Sequence, residues 1–231
     1  MLFRSQGGNA IDAAVAANAM MGLVAPMNDG IGGDLFAIVF IAKTGKLYGL
    51  NASGWAPAAL TADLLRAKGN TRMPQRGIHT VTVPGAVNGW EALLTRFGKR
   101  TMGDVLAPSI DYAVNGFPVG EVVSVYWKDS EAVLRADAPT ARTFLPNGAL
   151  PKQGDVFRNP DLAWTYRQLA TGGARAFYRG VVAQKILATS QRHGGTMTAA
   201  DLSAFTSEWV DPISTTYHGW TVYELPPNGQ E

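Results

Sequence analysis

Two stretches of this 231-residue chain gather side chains that could do chemistry. The run Ser214-Thr215-Thr216-Tyr217-His218 sets hydroxyls beside an imidazole, the two groups from which a nucleophile and its base are built. Neighbours on a strand point to opposite faces, and Ile213, Thr215 and Tyr217 alternate with a period of two. The run is therefore read as a strand, Ile213 to Tyr217, and not as a catalytic pair.

The second stretch, Asp29-Gly30-Ile31-Gly32-Gly33-Asp34, has the glycines of a phosphate-cradling loop. A dinucleotide fingerprint needs them between a strand and the helix that follows, whereas here a helix precedes and the apolar strand Leu35 to Ile41 follows. A nucleotide-binding reading is disfavoured on that order. The glycines are expected to form a tight backbone crossing at the edge of a sheet, where a ligand could reach the chain.

Other chemistries are excluded by what is missing. Without cysteine there is no disulfide, thiolate metal site or cysteine nucleophile. His79, His193 and His218 have no metal-ligand spacing, and no carboxylate pair sits at helical spacing in an apolar setting. No metal and no cofactor are assigned. Twenty Lys and Arg against eighteen Asp and Glu, scattered along the chain, predict no nucleic-acid partner. The apolar run Ala13 to Met27 is interrupted by Asn18 and stopped by Pro26, so no membrane span is expected. Met1 to Gln6 lacks the apolar core of a signal peptide.

The elements that must position any site follow from pattern. Gly7-Gly8-Asn9 opens a helix lined by Ala10, Ala13, Ala14, Ala16, Ala17 and Ala19, slim enough to lie close against a sheet. Leu35 to Ile41 and Lys46 to Asn51 flank Lys43-Thr44-Gly45 as a hairpin of two buried strands. Thr61 caps a helix over Ala62 to Lys68, Ile78 to Val83 is a strand, and Pro84-Gly85 turns into a helix over Ala86 to Arg96. Thr101 caps the next helix, with Val105, Leu106, Ile110 and Tyr112 as its apolar face and Gly116 as its end. Val119 to Arg135, Asp161 to Leu169 and Ala174 to Ser190 read as helices, the second begun by Asn159-Pro160. Thr198 to Asp201 has the form of a capping box, and the last strand is Thr221 to Glu224. With no repeat and no long linker, residues 1–231 are expected to form a single α/β (α+β) domain, with Leu225 to Glu231 reading as a connection onward.

Taken in order, Gly7-Gly8-Asn9-Ala10-Ile11-Asp12-Ala13-Ala14, Gly30-Ile31-Gly32-Gly33, Val83-Pro84-Gly85 with Gly89, Phe177-Tyr178-Arg179-Gly180, Gly194-Gly195 with Asp201-Leu202, and Tyr223-Glu224-Leu225-Pro226-Pro227 resemble the γ-glutamyltransferase family. The resemblance covers nearly the whole chain and corresponds to the large-subunit region. It implies part of an αββα N-terminal-nucleophile hydrolase sandwich, made as a self-cleaving precursor whose new N-terminal threonine attacks a γ-glutamyl or related acyl amide.

The threonine motif and the small subunit that carries it have no counterpart in this sequence. No catalytic residue is assigned, and the missing small subunit is the expected partner. Family members acting on glutathione carry an arginine, in an Asn-Ala-Arg-Glu-type segment, that pairs with the substrate's α-carboxylate. Here the stretch is Asn51-Ala52-Ser53-Gly54-Trp55, so Ser53 stands in the arginine's place. That change implies poor binding of glutathione and a likeness to the cephalosporin-acylase-like branch. Ser53, Gly54 and Trp55 are the expected substrate-binding residues. The alternative is a non-catalytic domain of the same descent that binds a small molecule or a partner chain.

Overall fold

Asn9 starts the first helix as the sequence implies, its side chain accepting from the N–H groups of Ile11 and Asp12 while Asp12 reaches back to the Asn9 N–H. In the computed structural model, which describes residues 5–228, this helix is α1, Ala10–Val24. The chain continues through β1 (Leu35–Ile41), β2 (Lys46–Ala52), α2 (Ala62–Ala67), α3 (Ala86–Phe97) and α4 (Met102–Asn115). Next come β3 (Phe117–Pro118), α5 (Glu121–Asp129), α6 (Glu131–Arg135), α7 (Ala138–Phe144), β4 (Val156–Phe157) and α8 (Pro160–Tyr178). It closes with α9 (Val181–Arg192), α10 (Ala199–Ala204), β5 (Glu208–Val210), β6 (Ile213–Tyr217) and β7 (Trp220–Glu224).

Two compact units emerge, each assembled from two separate segments: residues 1–30 with 94–173, and residues 31–93 with 174–231. The first unit is mainly helical. Its aromatic core joins Trp127, Phe144 and Phe157. The Trp127 and Phe157 rings lie 4.7 Å apart near edge-on, and the Trp127 Nε1–H donates to the Phe144 carbonyl at 2.9 Å. Each such ring stabilises by about 1.5–3 kcal/mol when fully withdrawn from water, and the indole loses nothing because its N–H is paired.

The second unit holds a three-stranded antiparallel sheet in the order β1-β2-β5. Leu35 pairs with Ala52, Ile41 with Lys46, and Asn51 with Glu208. Leu50, Val83, Val87, Trp90, Leu93, Leu202 and Phe205 are buried in this unit. β6 and β7 form a separate hairpin whose strands are almost wholly exposed.

The structure is an α/β fold, as expected, the caps at Thr61, Thr101 and Thr198 sit where the sequence puts them, and a further capping box forms at Asn9. Several local expectations are corrected. Ile78 to Val83 is not a strand: Ile78–Thr80 forms one 3-10 turn before the chain runs extended into Pro84. The alanine-lined helix α1 makes its main packing against α4, so slimness serves a helix–helix contact and not the expected approach to a sheet.

On α4 the buried stripe is Val105, Leu106, Ser109 and Ala113, the i, i+1, i+4, i+8 set, which leaves Ile110 half-buried and turns Tyr112 outward. Val119 to Arg135 is broken at Ser130 into two helices. The predicted break between Leu169 and Ala174 shrinks to one non-helical residue, Gly173, inside α8. The β hairpin forms, but β1 is not buried on both faces: Val39 is buried, while Phe36, Ile38 and Phe40 are 46%, 43% and 60% exposed. Gly229 to Glu231, the end of the expected onward connection, and Met1 to Arg4, the start of the N-terminal stretch, lie outside the described residues.

Candidate functional site

The segment singled out by the resemblance is the end of β2 and the residues just after it. Asn51 lies in register opposite Glu208, and Leu35 opposite Ala52, which places Asp34 beside Ser53. The Ser53 hydroxyl donates to Asp34 Oδ2 at 3.2 Å, and the Gly54 N–H donates to Asp34 Oδ1 at 2.9 Å. Asn51 is engaged at both ends of its amide. Its Oδ1 accepts from the Ser53 N–H at 2.9 Å and its Nδ2 donates to Asn228 Oδ1 at 2.7 Å.

Backbone packing on backbone fixes this arrangement. The Val83 N–H donates to the Trp55 carbonyl at 3.0 Å, while the N–H groups of Gly85 and Ala86 both donate to the Gly33 carbonyl, at 2.9 and 3.0 Å. A Cβ on Gly54 would collide with the Val83 carbonyl, and one on Gly85 with the Ala52 carbonyl. These two glycines are required by space, not by backbone angle. Trp55 then rests on Phe205 with ring centres 5.0 Å apart, and Phe205 stacks on Tyr178 at 5.8 Å. The Tyr178 hydroxyl donates to the Pro84 carbonyl at 2.6 Å and accepts from the Asn88 N–H at 3.1 Å. Burial pushes the phenol well above its usual range, opposed by the Asn88 N–H and reinforced by the Glu91 carboxylate.

Around the first segment lies a cavity of about 290 Å³, walled by Ser53, Gly54, Trp55, Thr206, Glu208 and Asn228, with Asn51 and Pro227 completing it. A second cavity of the same unit, about 450 Å³, lies among Asn88, Glu91, Arg175, Tyr178, Arg179 and Ser203. There Glu91 accepts from the Ala174 N–H and Arg179 donates to the Ser203 carbonyl.

Ser53, Gly54 and Trp55, expected from sequence as binding residues, thus share one cavity. Gly54 contributes its N–H and its lack of a side chain. Glu208, Thr206 and Asn228 were not expected there, nor was Asp34 as the partner of Ser53 and Gly54 behind that wall. Asp34 carried a signal, a carboxylate ending a glycine run, whereas nothing local marks residues 206–228 as neighbours of residue 53. Ser214 to Tyr217 lie in β6, as the alternation implied, and His218 sits in the turn beyond at φ 47°. Among the described residues no three His, Asp or Glu side chains gather in a way that could hold a metal ion, and no helix is long and apolar enough to cross a membrane.

Comparison with known proteins bears on the same segments. A family model described as gamma-glutamyltranspeptidase matches residues 4–231. A glutathione hydrolase-like proenzyme of Bacillus subtilis (strain 168) is 39% identical over 226 residues, which are 97% of this chain and 43% of that protein. Among solved structures, cephalosporin acylase from Bacillus halodurans superposes with a TM-score of 0.93 at 41% identity, over 98% of this chain and 43% of that one. Helicobacter pylori gamma-glutamyltranspeptidase superposes with a TM-score of 0.91 at 30% identity, over 96% of this chain and 65% of that one. The chain spans about two fifths of the length of the curated relative.

Proposed function

This chain belongs to the gamma-glutamyltranspeptidase family, and from that premise we propose that it is the large-subunit portion of an enzyme that transfers or hydrolyses a γ-glutamyl or related acyl amide. Residues 1–231 act as one large-subunit-like region. The attacking group is an N-terminal threonine outside this chain, on a small subunit released by self-cleavage. Ser53, Gly54 and Trp55 wall the acyl-group pocket.

The observation that carries the reading is the cavity at the end of β2, in the position where the resemblance puts substrate contact, with Trp55 still 41% exposed as an apolar wall. Supporting it, strands β6 and β7 and the outer face of β1 leave Phe36, Phe40, Tyr217, Trp220 and Val222 exposed, an apolar surface of the kind a further β-rich segment covers. In such an assembly the threonine hydroxyl attacks the acyl carbonyl, its α-amine takes the proton and backbone N–H groups receive the oxyanion; the C–N bond then breaks, the amine leaves with that proton, and water or an acceptor amine attacks the acyl ester to release the acyl group and restore the threonine hydroxyl. The large subunit's part is to hold the acyl chain so that its carbonyl meets the nucleophile.

The test is maturation of the complete natural protein. Its smaller fragment is expected to begin with threonine, and replacing that threonine with alanine is expected to block both cleavage and hydrolysis of γ-glutamyl-p-nitroanilide. The 231-residue chain by itself is expected to be inactive. Turnover by that chain, lost in Thr215→Ala, would refute the proposal.

A further inference from the structure

Where the resemblance places an arginine in relatives that act on glutathione, this protein has more than a neutral gap. The Ser53 hydroxyl is within bonding distance of the Asp34 carboxylate, which can only accept, so the serine must donate to it. A hydroxyl that has given its proton away offers a ligand lone pairs only. Asn51 lies alongside, with its Oδ1 bonded to the Ser53 N–H and one of its two Nδ2 hydrogens given to Asn228. Among the residues that wall the cavity, Glu208 is the one carboxylate and there is no lysine or arginine, while Asp34 stands behind Ser53, outside the wall. At Ser53 the wall therefore offers acceptor lone pairs backed by the Asp34 carboxylate, with the Glu208 carboxylate in the same cavity.

We propose that Asp34 is a specificity-determining residue of this site, acting through Ser53. It selects acyl groups that end in an ammonium or another hydrogen-bond donor and rejects those that end in a carboxylate. The proposal rests on the reading of the cavity as the acyl pocket and adds the sign of its preference. Trp55 lines the same cavity, so an alkyl spacer lies against the indole while the amine reaches the Ser53 hydroxyl that Asp34 holds. A γ-glutamyl group carries both an amine and a carboxylate, and is expected to bind by its amine.

The experiment uses the complete natural enzyme with three chromogenic amides: 4-aminobutanoyl-, glutaryl- and γ-glutamyl-p-nitroanilide. Wild type is expected to favour the aminobutanoyl over the glutaryl compound by at least about tenfold in kcat/KM, the scale of one charge contact in a partly wet site. Asp34→Asn should erase most of that ratio through KM. Ser53→Ala should lower the ratio as well, because Asp34 acts through Ser53, and Ser53→Arg should reverse it. Equal or better turnover of the glutaryl compound by wild type, or an unchanged ratio in Asp34→Asn, overturns the proposal.

If no amide is turned over, the acyl-transfer reading fails by itself, and calorimetric binding of 4-aminobutanoate against glutarate still decides the charge preference. Tighter 4-aminobutanoate binding that depends on Asp34 supports the proposal; no binding of either, or tighter glutarate, overturns it. Should Asp34→Asn fail to fold, Ser53→Arg with the same pair of ligands takes its place: a reversed preference supports the proposal and an unchanged one overturns it.

Discussion

Gly54 lies against the carbonyl group of Val83 with no room for a methyl group between them. The neighbour is backbone, held by the bond from the Val83 N–H to the Trp55 carbonyl, so it cannot swing aside as a side chain would. Gly54→Ala is expected to cost about 3 kcal/mol, the upper part of the range for overpacking. Gly32→Ala, with nothing within 4 Å of its added carbon, should stay within about 0.5 kcal/mol of wild type. Denaturation midpoints of the complete protein compare the two, and equal midpoints would contradict the close approach.

Asp12 is fully buried and accepts from three backbone N–H groups: Asn9 at 2.7 Å, Lys99 at 2.9 Å and Arg100 at 3.0 Å. It ties the start of α1 to the loop between α3 and α4. Asp12→Ala strands those donors and should cost about 3 kcal/mol, while Asp12→Asn, keeping one acceptor oxygen, should cost less. Urea unfolding gives both values.

Tyr166 and Tyr178 bury phenols that donate to the carbonyls of Ala19 and Pro84, at 2.7 and 2.6 Å. Each Tyr→Phe change is expected to cost about 1–2 kcal/mol. Burial is the main cause that pushes both phenols up, so the protein binds their protons more tightly folded than unfolded. What they contribute is complete below about pH 10, the ordinary tyrosine value, and is lost as pH rises above it. Absorbance titration should show two tyrosines that ionise only with alkaline unfolding.

Asp201 behaves in the opposite sense. Burial raises its carboxyl, but the N–H of Ala58 and both the hydroxyl and N–H of Thr198 outweigh burial and hold it below the usual carboxylate range. Its stabilising effect is therefore present above about pH 3.9 and lost as pH falls below it. Asp201→Asn should flatten the acid limb of the stability profile between about pH 4 and pH 2. An acid limb identical to that of wild type would count against the hydrogen-bond assignment.

Sequence alone determined what depends on short-range rules. Asn9, Thr101 and Thr198 cap helices because a small acceptor three residues before an acidic side chain satisfies helix-end N–H groups wherever the chain goes next. The order of glycine motifs pointed to the family, and the segment around Ser53 that this resemblance picked out lines a cavity. Tertiary structure decided the rest. The apolar residues of β1 could not reveal which face would be covered, since an alternating strand and a doubly buried one differ only in their neighbours. Ile78 to Val83 has strand-like residues but no partner strand, so its backbone bonds to a turn and to Trp55 instead. The Asp34–Ser53 pair follows from the β1–β2 hairpin, whose turn sets its register, whereas Glu208 opposite Asn51 comes from strand pairing over a long sequence separation. The latter register is fixed by packing the sheet as a whole, and no local run of residues encodes it.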